Sequence, residues 1–143
     1  MGEIKMSVSL ALQTALRERL ISTAAVTSLV PVASILDRNQ RPAPMPSIIL
    51  GEAQAVEEGR DTERRRTRVY HTAHVFNREP GLAGVQEIAG NMREALNWQN
   101  LQLSAPLHCI NARVSGMRLL RDPDGETAHA VVTIEALINE ALS

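Results

Sequence analysis

LHCINARVSGMRLLRDPDGETAHAVVTIEALI, residues 107–138, reads as two strands joined by a turn. Asp122-Pro123-Asp124-Gly125 makes the turn: proline presets φ at the second position, and glycine tolerates positive φ at the fourth. In the second arm, from about Thr127 to Ile138, Ala128, Ala130, Val132, Ile134, Ala136 and Ile138 occupy every second position. That period places one face of a strand in a core. In the first arm, from about Leu107 to Arg121, the apolar face passes from Ile110, Ala112 and Val114 to Met117 and Leu119. The change of phase falls at Gly116, where a β-bulge is expected.

Working outward, Leu82, Val85, Ile88, Ala89, Met92 and Leu96 recur at helical spacing and predict a helix from about Leu82 to Asn97. Pro80-Gly81 separates it from a strand of about Thr67 to Asn77. There Val69, Ala73 and Val75 alternate with Arg68, Tyr70, Thr72 and His74. Further upstream, Ser47-Ile48-Ile49-Leu50-Gly51 is a strand core, entered through a polar segment containing Pro42, Pro44 and Pro46. Proline fixes φ, so that segment is expected to be extended and stiff. Near the N-terminus, Val8, Leu12, Ala15, Leu16 and Leu20 predict an amphipathic helix from about Ser7 to Ile21. A second, shorter helix, capped by Ser22 or Thr23, stops before Pro31. The order is α-α-β-β-α-β-β. It implies an α+β fold with a mainly antiparallel four-stranded sheet and helices on one face. One domain over 1–143 is expected.

Composition narrows the function. The chain is 44% hydrophobic but only 2% aromatic, so its core must be built from Leu, Ile, Val, Ala and Met. Base-stacking platforms need several exposed aromatics. Fifteen basic residues against 16 acidic ones give a net charge of −1, which opposes recognition of a polyanion by bulk charge. Cys109 is the single cysteine, which excludes a disulfide within the chain and a Cys-rich zinc site. The start, Met1-Gly2-Glu3-Ile4-Lys5-Met6, has no apolar signal region, and no apolar run spans a bilayer. A protein made in the cytoplasm, without membrane contact, is expected.

No constellation of catalytic or metal-binding residues emerges. His71 and His74 are three apart on a strand and point to opposite faces. His108 and His129 are candidates to meet across the last hairpin, but no third ligand accompanies them. The histidines are therefore expected at the surface or on strand edges. Cys109 sits in a strand and not at a helix N-terminus, where thiolates are stabilised. It is expected to be a core thiol. Gly81-Leu82-Ala83-Gly84 lacks the lysine and spacing of a phosphate loop, and Lys5 is the only lysine of the chain. No cofactor and no metal are expected.

Glu57-Glu58-Gly59-Arg60-Asp61-Thr62-Glu63-Arg64-Arg65-Arg66-Thr67-Arg68 carries four acids, five arginines and no apolar side chain. It is expected to form the tip of a long hairpin. Three uses compete for it: a solvated tip, a contact with a neighbouring subunit, and a phosphate contact. The flanking acids oppose the last.

The order of signals resembles the tail-completion, or tail-terminator, family of long-tailed phages, prophages and gene transfer agents. The resemblance is carried by Leu12-x-x-Ala15-Leu16-x-x-x-Leu20, Ser28-Leu29-Val30 and Pro46-Ser47-Ile48-Ile49-Leu50-Gly51-Glu52. It continues through His71-Thr72-Ala73-His74-Val75-Phe76 and Ile88-Ala89-Gly90-Asn91-Met92-Arg93-Glu94-Ala95-Leu96. Its most specific part is Leu119-Leu120-Arg121-Asp122-Pro123-Asp124-Gly125 with His129-Ala130-Val131-Val132-Thr133 after it. The family commonly has Trp or Tyr near Val75-Phe76, where Phe76 stands.

The resemblance implies a non-catalytic virion protein at the tail–neck junction. It implies a homo-oligomer, a hexameric ring, seated on the last ring of the tail tube protein. The ring would stop tube growth and offer a surface to a neck or head-completion protein, with DNA only passing through its lumen. Glu57, Glu58, Arg60, Asp61, Glu63, Arg64, Arg65 and Arg66 are the expected interface. A neck adaptor is the nearest alternative. A small enzyme using Cys109 or a histidine, and a nucleic-acid module, are the alternatives of other classes.

Overall fold

The structure is a computed structural model that describes residues 7–97 and 101–142. Lys5, Trp98 and the N-terminal residues 1–6 lie outside the described residues. Helix α1 spans Val8–Ile21, and the Ser7 side chain accepts a hydrogen bond from Leu10 N at 3.0 Å, the capping role its position requires. Ala11, Leu12, Ala15, Leu16 and Leu20 form its buried stripe. Helix α2, Ala24–Thr27, is a single turn that buries Val26, with Thr23 as its cap residue.

After a 3₁₀ turn at Val32–Ser34 come strands β1 (Ile35–Leu36), β2 (Ser47–Arg60) and β3 (Arg64–Arg78). Helix α3 (Ala83–Leu96) follows, then β4 (Leu107–Arg121) and β5 (Thr127–Ala141). The sheet has five strands in the order β1-β2-β3-β5-β4. The four long strands are antiparallel, as expected. The expectation of four strands is corrected by β1, which pairs parallel with β2 through Ile35 opposite Ile48 and Leu36 opposite Ile49. The sheet is therefore mixed. Two residues are too few to show a period, so this strand had no sequence signal.

The helices cover one face. Val69, His71, Ala73 and Val75 of β3 and Ala128 to Ile138 of β5 are buried at alternate positions, and their neighbours are half-buried. Ile48, Leu50, Ala112, Val114, Met92 and Leu96 join the same core. Each fully buried Leu, Ile or Val contributes about 1.5–3 kcal/mol of transfer free energy. Tyr70 and Phe76 are both half-buried on the outer face of β3, so none of the described aromatics is in the core.

Pairing register shifts between Val114 and Gly116, at the glycine that marked the phase change. Asn97 holds this bulge, accepting Val114 N on Oδ1 at 2.7 Å. A second shift between Cys109 and Asn111 overturns the expectation for Ile110. Cys109 faces the core, and Ile110 is 39% exposed. The turn forms as read: Gly125 has φ +73° and donates to Asp122 O at 3.0 Å. Asp124 accepts the backbone N–H groups of Glu126 and Thr127 at 2.8 and 2.9 Å.

Segment 37–46 bends at three places and is not simply extended. It lies beside the outer face of β2 and β3, where Arg41 and Met45 line an open cleft with Ile49 and His74.

Candidate assembly surface

The charged segment is mostly strand. Glu57–Arg60 belong to β2 and Arg64–Arg66 to β3, so the loop is only residues 61–63. Asp61 closes the loop by accepting Glu63 N at 2.7 Å and Arg64 N at 2.9 Å. Those N–H groups hold its carboxyl below the usual carboxylate range. Nor is the segment a free arm. Arg64, Arg65 and Arg66 pair with Ala141, Glu140 and Asn139 of β5. Backbone pairing, not apolar side chains, keeps this end ordered, and a hydrophobicity pattern cannot report that.

Side chains divide the segment in two. Arg68 bridges Glu58 and Glu135, the latter at 2.9 Å, and Arg113 approaches Glu135 at 3.8 Å. Arg65 binds Glu140 at 2.6 Å, and the Glu140 side chain is only 10% exposed. These pairs link neighbouring strands at this end of the sheet. By contrast, Arg60, Arg64 and Arg66 make no ion pair among the described residues and are exposed with Glu57, Asp61 and Glu63. The expected interface residues thus separate into a set ion-paired within the chain (Glu58, Arg65) and a set with no such pair among the described residues (Glu57, Arg60, Asp61, Glu63, Arg64, Arg66).

Among the described residues, both long edges of the sheet are open. Among those residues, β2 beyond Ile49 pairs only with β3, and β4 pairs only with β5. Unpaired strand edges expose N–H and C=O groups that pair readily with another chain. Val56 on one edge strand and Ile110 and Met117 on the other are 39%, 39% and 40% exposed.

The histidines depart from expectation. His71 is fully buried, not at the surface, and its Nε2 lies 3.1 Å from Gln13 Oε1 on α1. Burial holds it below the ordinary histidine range. His108 and His129 do not meet: they lie opposite Asn139 and Leu120, towards opposite ends of the last hairpin. Instead His129 meets His74 at 2.8 Å on the outer face. Cys109 is buried, donates to Asn111 O at 3.3 Å, and is pushed up by burial, the reverse of an activated thiol. Among the described residues no three His, Cys, Asp or Glu side chains are grouped to hold a metal.

The family "Tail completion protein gp17" matches residues 14–139. That span takes in all five strands except the last two residues of β5, together with residues 57–66 and helix α3. The chain belongs to the tail-completion family. It is a structural, non-enzymatic protein of a phage-type virion. Among solved structures, a chain in the virion of a native gene transfer agent particle has the same fold. Its TM-score is 0.83 at 18% identity, covering 94% of this chain and 99% of that one. No curated protein matches. Among the described residues, no helix is long and apolar enough to cross a membrane.

Proposed function

We propose that this tail-completion protein caps the tail tube as a ring, ends tube growth and presents the surface that joins tail to neck. The observation that carries the reading is the end of the sheet around residues 57–66. There, strand-paired backbone presents exposed charges of both signs, next to a strand edge that is open among the described residues. A solvated tip needs no such backbone pairing. A docking surface gains from it, because little ordering entropy is lost on contact.

Ring closure needs head-to-tail contacts between two different patches. The two open edges, on opposite sides of one sheet, are such patches, and each carries exposed apolar side chains beside its free backbone. Six subunits is the ring order implied by the family resemblance. The tube protein and the neck protein are the proposed partners. Glu57, Arg60, Asp61, Glu63, Arg64 and Arg66 are the proposed contact residues.

The test is to make particles without this protein and measure their tails. The proposal expects overlong tubes that do not join heads. Tails of normal length that lack only the neck connection would reject termination in favour of an adaptor role.

A further inference from the structure

Four titratable side chains form one hydrogen-bonded row on the outer face, at the sheet end opposite residues 57–66. Glu52 Oε1 lies 2.7 Å from His74 Nε2. His74 Nδ1 lies 2.8 Å from His129 Nε2. His129 Nδ1 lies 2.9 Å from Asp122 Oδ1. The row ties β2, at the register shift between Leu50 and Ala53, to β3, β5 and the β4–β5 turn.

Proton counting makes this row informative. Three hydrogen bonds need three protons, because a carboxylate only accepts and a neutral imidazole has one N–H. Two carboxylates and two neutral imidazoles carry only two. With both N–H groups turned to the carboxylates, two lone pairs would face each other at 2.8 Å. The third proton belongs on the imidazoles, which are far more basic than Asp or Glu.

Phe76 supports a positive charge there. Its ring centroid lies 4.3 Å from that of His129 and 6.1 Å from that of His74, stacked at 13° on the latter. An aromatic face attracts a cation at such distances. The other charged groups lining the cleft are Arg41, Arg78 and Asp124. Arg78 approaches Glu126 at 3.9 Å, which offsets its repulsion.

We propose that His74 and His129 share one extra proton and so form a pH-sensitive clasp between β2, β3 and the β4–β5 turn. Above the ordinary histidine value of about 6.5, the unfolded pair holds two protons fewer than its maximum, while the folded row retains one of them. Stability then falls as pH rises. Below it, the unfolded pair takes two extra protons, while the folded row has room for one. Stability then falls as pH drops. The clasp is therefore strongest in between. Each arm changes the folding constant by up to about tenfold per pH unit, the linkage limit for one proton.

The experiment measures unfolding by denaturant from about pH 5 to pH 9, across the range where histidine titrates. Wild type is compared with the His74→Gln/His129→Gln variant, so that His71 and all other common groups cancel in the difference. A bell-shaped difference is expected. A flat or one-directional difference would overturn the proposal. Long-range ¹H–¹⁵N spectra of wild-type histidines decide the matter even if the variant does not fold. They should show one proton shared between the facing nitrogens near neutral pH. Two neutral rings throughout would overturn it.

Discussion

Replacing Arg64 and Arg66 together by Glu separates folding from assembly. Both side chains are exposed, and neither makes an ion pair among the described residues. Surface substitutions of that kind stay within about 0.5 kcal/mol, so the unfolding midpoint of the isolated chain should barely move. At a docking surface the effect is larger. An exposed ion pair contributes about 0.2–1 kcal/mol, and reversal replaces attraction by repulsion. Two reversals should therefore cost roughly 1–3 kcal/mol per subunit contact, about 5- to 150-fold in affinity. The same contact in wild type should weaken as salt rises, because the Debye length falls from about 8 Å at 0.15 M to about 3 Å at 1 M. The assay pairs denaturant unfolding of the chain with tail length and head-joining in particles carrying the variant. A stable variant with normal tails and normal joining would refute the reasoning and move the docking surface elsewhere.

Three further outcomes follow from the packing. Arg121 donates to Glu79 O, Pro80 O and Gly81 O at 3.0, 2.7 and 2.8 Å, clamping the entry to α3, so Arg121→Ala should cost about 1.5–3 kcal/mol in chemical denaturation. His71 must charge from a buried, neutral state on acidification; its folded value is lowered, so stability present above the ordinary 6.5 is lost as pH falls below it, and His71→Gln should flatten that part of the acid limb. Leu16→Ala should cost about 2–5 kcal/mol, because the side chain is fully buried between helix and sheet, and the loss should appear as a lower denaturant midpoint.

The long elements were legible because each one buries a single face. The stripe of α1, the alternation of β5 and the turn at residues 122–125 all follow from period and turn chemistry. Strand β1 was hidden by its length. The extent of β2 and β3 was hidden for a different reason: β2 from Glu52 onward is exposed on both faces and β3 buries nothing before Thr67, so no apolar pattern marks those ends. Ile110 was misplaced because two bulges in one strand shift the phase twice, and only Gly116 carries a signature. The pairing of His74 with His129 depends on register, with Phe76 directly opposite His129 and His74 on its diagonal. The sequence did hold a partial signal, since His74 and Phe76 share a face two residues apart. The division of the charged segment was likewise invisible until register placed Arg65 opposite Glu140.

The central claim, that the protein is a single cap at the end of the tube, is tested most directly by averaged electron micrographs of particles labelled on this subunit. The account predicts one ring of density at the tail–neck junction, sixfold in rotation, with no label along the shaft. Label repeated along the tail, or found only on the head side of the neck, would contradict it.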